Sequence, residues 1–270
     1  PSLSAGVWSK WRAMCDLTLV NMNLLHIVYG DRVDHEAHLP LGLLYLVSVL
    51  EERGYQVDLR DYQLLVADDP FDVECTLAFL EGCAPVVGFS CMANLLPYTL
   101  LVAQALKARH PEKKVILGGT GPTAVEQAIL RKFDAVDVIV RGEGERTVVD
   151  LMDTLAGGGD LRTVPGVSFR SNSSVVENRP RPRISDLDAL PWPAYHRLDM
   201  AAYRGCGVVT SRGCPYRCTF CSVAPIWGRE AVLRSVESVV AEMRHLFESY
   251  GVTMFLLQDE YFVSDKARML

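Results

Sequence analysis

Between Leu17 and Leu155, short apolar runs alternate with segments of helical period, and this alternation commits the chain to a parallel sheet covered by helices on both faces. The strand candidates are Leu17–Met22, Gln56–Arg60, Val86–Ser90, Val115–Leu117 and Val136–Val140, and the last four are rich in the branched apolar residues a doubly buried strand needs. Helices are expected over Pro40–Arg53, Pro70–Leu80, Leu95–Arg109, Thr123–Lys132 and Glu145–Leu155. Pro40 suits a first helical turn and Gly54 a left-handed stop. In the third helix Tyr98, Leu101, Val102, Ala105 and Leu106 recur at helical spacing, predicting one apolar stripe against the sheet.

Right-handed βα units of this size make a flavodoxin-like sheet, whose ligands sit beyond the carboxyl ends of the strands. In this chain that edge comprises Asn23–Leu39, Ser90–Asn94, Gly118–Pro122 and Arg141–Gly144. Its glycines let backbone amides approach a ligand closely. Gly119-Thr-Gly121-Pro-Thr-Ala124 matches a dinucleotide fingerprint in form only, because it follows the fourth strand and not the first. Tight βα turns explain these glycines equally well.

Gly157-Gly158-Gly159 ends the first domain, taken as residues 1–160. Residues 161–204 read as a connector, with a hairpin of Val167–Arg170 and Val175–Glu177 followed by an extended, proline-rich strap over Arg179–Pro193. Residues 205–270 read as a strand (Gly207–Ser211), a cysteine-bearing loop, a helix closed by Gly251 and a second strand (Val252–Leu257). Val236, Val239, Val240, Met243, Phe247 and Tyr250 are expected on one face of that helix. This is how a βα barrel begins, but it supplies about one and a half units where a complete barrel takes ~200 or more residues. The expectation is a fragment of a longer protein, or a chain completed by another.

Cys214-Pro-Tyr-Arg-Cys218-Thr-Phe-Cys221 places three thiols in one short loop. Four-iron clusters want four ligands, so a local triplet implies a distant fourth ligand or an iron left open for chemistry. A structural zinc site with Cys206 as the fourth thiolate is the alternative, although such sites are usually two separated cysteine pairs.

The C-x3-C-x2-C spacing resembles the signature of radical S-adenosylmethionine enzymes. Together with Leu39-Pro-Leu-Gly-Leu-Leu-Tyr-Leu46, Gly118-Gly119, Arg141-Gly-Glu-Gly-Glu145 and Ile184-Ser-Asp-Leu-Asp-Ala-Leu-Pro191, it is similar to the members that carry an upstream cobalamin-binding domain. That class includes radical methylases and anaerobic porphyrin cyclases. The resemblance implies a 4Fe-4S cluster on Cys214, Cys218 and Cys221, with S-adenosylmethionine on the open iron. It implies Phe220, Asp259 and Glu260 beside S-adenosylmethionine, and Ser90, Gly118, Gly119, Thr120, Gly142, Glu143 and Gly144 around cobalamin. It further implies a small-molecule or natural-product substrate and an electron donor such as flavodoxin or ferredoxin. A solvated acidic turn is the plain reading of Asp259 and Glu260. No D-x-H-x-x-G motif occurs, so a histidine-ligated corrinoid is not expected, and His35 and His38 are left out of the site.

A net charge of -6 and the lack of any basic run argue against nucleic acid as the main partner. No apolar run is long enough for a membrane span, the Leu39–Leu50 stretch included. The 8 cysteines, with no secretory leader in view, fit a reduced cytoplasm better than a disulfide framework. The competing functional reading is a corrinoid-binding or cofactor-free module with no catalysis of its own.

Overall fold

The computed structural model describes residues 15–22, 26–29, 32–35, 37–65, 69–172, 174–203 and 205–262. The end of the barrel segment and part of the expected Asn23–Leu39 edge lie outside them. The chain divides into two compact units, Pro1–His35 with Leu46–Arg181, and Glu36–Tyr45 with Pro182–Leu270.

The first unit is built on β1 (Leu17–Asn21), β4 (Val57–Asp61), β5 (Val86–Ser90), β6 (Lys114–Gly118) and β7 (Val138–Val140). These five are parallel, in the order β4-β1-β5-β6-β7. This is the flavodoxin-like order, which reverses direction between β1 and β5. All of β1 is buried, as expected of a strand covered on both sides. Leu17, Val20, Val86, Val87, Val115, Leu117 and Ile139 form the sheet's share of the core, each side chain contributing roughly 1.5–3 kcal/mol.

Helices α1 (Leu41–Glu52), α2 (Val73–Phe79), α3 (Leu96–Arg109), α4 (Thr120–Thr123), α5 (Glu126–Lys132) and α6 (Glu145–Gly157) follow the strands. Asp72 caps α2 by accepting the Glu74 amide, so that helix starts later than Pro70. On α3, Tyr98, Val102 and Leu106 are buried as expected. Leu101 is instead 55% exposed, and Thr99 and Ala103 take its place against the sheet. Thr99 satisfies its hydroxyl on the Leu95 carbonyl at 2.9 Å, which lets a polar residue sit in the core.

Two further departures concern hairpins. The expected loop after β1 contains an antiparallel pair, β2 (His26–Tyr29) with β3 (Arg32–His35). The second hairpin, β8 (Val167–Ser171) with β9 (Ser174–Glu177), was assigned to the connector on sequence. It pairs with β7 and extends the main sheet to seven strands. Arg141 explains the attachment, since it pairs with Glu177 at 2.9 Å and also donates to the Asn178 carbonyl.

In the second unit, β10 (Cys206–Val208) runs parallel to β13 (Phe255–Leu257), with α8 (Val236–Tyr250) in the crossover. The expected Gly207–Ser211 strand is interrupted, and Ser211–Arg212 forms a separate β11 paired antiparallel with β12 (Val232–Leu233). Between β11 and β12 lie the cysteine loop and the short α7 (Val223–Trp227). The strap is extended and buries Ile184 and Leu187, and Ala194 and Tyr195 directly after it are buried too.

The face of α8 also differs from the expected stripe. Val239, Glu242 and Leu246 are buried, while Val236, Val240 and Phe247 are exposed. Glu242 is fully buried because its charge is met twice. Tyr195 donates to Oε1 at 2.6 Å, and Arg234 pairs with Oε2. Burial and the Glu242 charge push the Tyr195 hydroxyl far above its usual range.

Candidate functional site

Two sets of residues are brought together, one in each unit. In the first, Ser90 ends β5, Gly118 ends β6 and Gly142–Gly144 follow β7, so the residues sought from sequence share the carboxyl edge of three neighbouring strands. Gly119 has φ 96 and ψ -176, a conformation restricted in practice to glycine, and a Cβ there would lie 2.7 Å from the Cys91 carbonyl oxygen. Its lack of a side chain is therefore required by the fold. Gly118 and Gly142 differ, because a Cβ on either meets nothing within 4 Å. At Gly144 a Cβ would lie 3.0 Å from the Leu46 side chain, so the glycine lets that leucine pack closely.

Thr120 is exposed on this edge and Glu143 is half-buried. Met92 after β5, Val125 after α4 and Leu64 after β4 are large apolar side chains left 47%, 44% and 40% exposed. Uncovered backbone beside exposed apolar side chains is what a broad macrocycle with a polar rim would use. The residues present fit cobalamin in this respect. The Met92, Val125 and Leu64 contribution has no sequence signal, since isolated apolar residues in loops are ordinary.

In the second unit, Cys214, Cys218 and Cys221 are all free thiols, the outer two half-buried and Cys218 exposed. The Cys221 amide donates to the Cys218 carbonyl at 3.2 Å, a tight turn that includes Phe220. Phe220 is 92% exposed. Among the described residues, no three His, Cys, Asp or Glu side chains are gathered as a metal site. The donor set nevertheless suits an iron-sulfur cluster chemically, with three uncommitted thiols in eight residues of loop.

What the structure fixes is the base of this loop. Asp259 follows β13 and accepts the amides of Thr210 at 2.8 Å and Ser211 at 2.9 Å, and the Thr210 hydroxyl as well. Glu260 accepts the amide of Gly213 at 2.9 Å. Tyr261 meets Tyr216 of the loop edge-to-face, ring centroids 5.0 Å apart and hydroxyls 3.2 Å apart. The Tyr216 hydrogen bond, and then burial, raise the Tyr261 hydroxyl above its usual pKa. Asp259 and Glu260 are thus engaged with backbone and are not a merely solvated turn. Thr210, Gly213 and Tyr261 were not singled out on sequence. Only Gly213, directly before the first cysteine, carried a signal.

Cys206, unlike the three loop cysteines, is buried, in β10. Burial, and then the Glu242 charge, push its thiol up to about 12. No helix among the described residues is long and apolar enough to cross a membrane.

Comparison with known proteins agrees with both halves. Residues 28–152 match the B12 binding domain family. The chain is 32% identical over 237 residues to an uncharacterized methyltransferase, PH0819, of Pyrococcus horikoshii, covering 86% of this chain and 50% of the relative. It is also 32% identical over 256 residues to the anaerobic magnesium-protoporphyrin IX monomethyl ester cyclase of Synechocystis sp., covering 93% and 51%. Among solved structures it resembles the radical S-adenosylmethionine methyltransferase TsrM of Kitasatospora setae, determined with cobalamin and a [4Fe-4S] cluster bound. That match has a TM-score of 0.72 at 21% identity, over 94% of this chain and 49% of the other. The chain spans about half the length of the curated relatives it matches.

Proposed function

Because this chain belongs to the radical S-adenosylmethionine enzymes that carry a cobalamin-binding domain, we propose that the whole protein methylates or cyclises a small molecule at an unactivated carbon. The observation that carries this reading is a loop of three free cysteines anchored where two parallel strands end. In this reading Cys214, Cys218 and Cys221 hold a 4Fe-4S cluster, and Phe220, Asp259 and Glu260 border S-adenosylmethionine. Ser90, Gly118, Gly119, Thr120, Gly142, Glu143 and Gly144 border cobalamin. When bound, these groups supply one-electron and methyl chemistry that side chains do not have.

The chain's own residues have separable tasks. Glu260 and Asp259 hold the start of the loop by its amides, leaving the thiols free to bind metal. Phe220 offers an exposed ring for a nucleobase to stack on. Gly118 and Gly142 leave backbone uncovered for the corrin side. The substrate and electron-donor contacts belong to the whole protein, with a flavodoxin or ferredoxin as the proposed reductant.

The test uses the full-length protein, reconstituted without oxygen. It should cleave S-adenosylmethionine to 5'-deoxyadenosine or transfer its methyl group, and Cys218→Ala should do neither. Turnover retained by Cys218→Ala overturns the cluster assignment. Corrinoid binding without iron or turnover would favour the module without catalysis.

A further inference from the structure

Arg183 comes from the strap, far in sequence from the cysteine loop, yet its guanidinium closes the base of that loop. One terminal nitrogen donates to the Arg212 carbonyl at 3.1 Å and the other to the Glu230 carbonyl at 2.7 Å. Arg212 immediately precedes Gly213-Cys214, and Glu230 follows α7, so the two carbonyls bracket all three cysteines. Gly213 sits under the clasp with φ 95, and a Cβ there would lie 2.3 Å from the Glu230 oxygen and 3.2 Å from the Arg183 guanidinium. The chain crosses itself here with no room for a side chain.

The Arg183 Nε is buried with no hydrogen-bond partner. The side chain thus leaves one donor unsatisfied while its planar fork spans two carbonyls, an arrangement lysine cannot reproduce with a single ammonium. The β11–β12 pair closes the same loop just outside this point.

We propose that Arg183 is a positioning residue for the cluster: by clamping the Arg212 and Glu230 carbonyls it fixes the ends of the cysteine loop and retards metal loss. The inference rests on the cluster reading above and adds the strap as the element that controls cluster retention. Arg183 touches none of the reacting groups.

The experiment compares full-length wild type with Arg183→Met, Arg183→Lys and Arg183→Gln, all reconstituted anaerobically. Iron and sulfide per chain, the paramagnetic spectrum of the reduced cluster and the rate of iron loss to a chelator are measured, along with thermal unfolding of the metal-free proteins. The expected result is at least about tenfold faster iron loss in Arg183→Met, which removes both charge-assisted hydrogen bonds, each worth about tenfold or more. Arg183→Lys should not rescue it, the cluster spectrum should shift, and metal-free unfolding should be unchanged. Wild-type retention of iron in Arg183→Met overturns the inference while leaving the cluster reading intact. Loss of cooperative unfolding in all three metal-free variants also overturns it, since Arg183 would then serve the fold and not the loop. A wild type that binds no iron overturns the cluster reading itself.

Discussion

Glu260 accepts the backbone amide of Gly213 at 2.9 Å, one residue before the first cysteine of the triplet. The segment after β13 is thereby tied to the start of the cysteine loop that follows β11. Glu260→Ala should lower iron per chain on reconstitution without S-adenosylmethionine, because an anchoring role does not need the cosubstrate. Full iron loading in that variant would leave only a cosubstrate-contact role for Glu260.

The neighbouring glycines Gly118 and Gly119 should separate ligand contact from folding. Gly119→Ala places a methyl 2.7 Å from the Cys91 carbonyl at positive φ and should cost on the order of 1–3 kcal/mol in denaturant unfolding. The methyl of Gly118→Ala meets nothing within 4 Å, so the unfolding midpoint should hold while corrinoid affinity falls. Unchanged corrinoid titration in Gly118→Ala would remove that edge from the site.

Glu242, Arg234 and Tyr195 form a buried ionic cluster under α8. Glu242→Ala should destabilise by about 3–5 kcal/mol, because it removes the nearer carboxylate from a buried Arg234, whose other acidic neighbour, Asp188, is 3.9 Å away. Arg234→Met combined with Glu242→Leu should recover much of that loss, which a double-mutant unfolding cycle will read.

Asp153 receives hydrogen bonds from Arg53 at 3.1 Å and from Tyr55 at 2.7 Å, and these hold its carboxyl below the usual range against a small opposing effect of burial. A lowered folded-state pKa stabilises above the unfolded value of about 3.9 and is lost as pH falls through the folded value. The gap in melting temperature between wild type and Asp153→Asn should therefore be positive at neutral pH, close in acid and shrink in salt.

Thiol accessibility gives a fifth test. Burial pushes Cys91 up to about 11 and is the main cause that pushes Cys206 up to about 12, so both should resist alkylation at pH 8 until the protein unfolds. Cys218 should label first in the metal-free protein, and iron should protect it. Early labelling of Cys206 would contradict its placement in β10.

The parallel sheet was legible because doubly buried strands leave dense branched runs such as Val86–Phe89. The cysteine loop stands out in the sequence because three thiols fall within eight residues, and its place after a strand was legible from the short apolar run before it. The buried face of α8 was not, since a pattern built on apolar residues passes over Glu242, which is buried only because Arg234 and Tyr195 meet it. Leu101 misled for a related reason, with Thr99 bonding its own helix and taking the inner position. The contacts of Asp259, Glu260 and Arg183 reach across 29 to 49 positions of chain. Nothing in local sequence encodes those.

The antiparallel hairpin that finishes the first sheet also governs how copies of the protein behave in a crowd. An open parallel sheet presents a sticky rim that can recruit a strand from a neighbour. Here that rim is β9, a short four-residue segment whose outer positions Ser174 and Glu177 are exposed. Such a border discourages strand-by-strand polymerisation on that side.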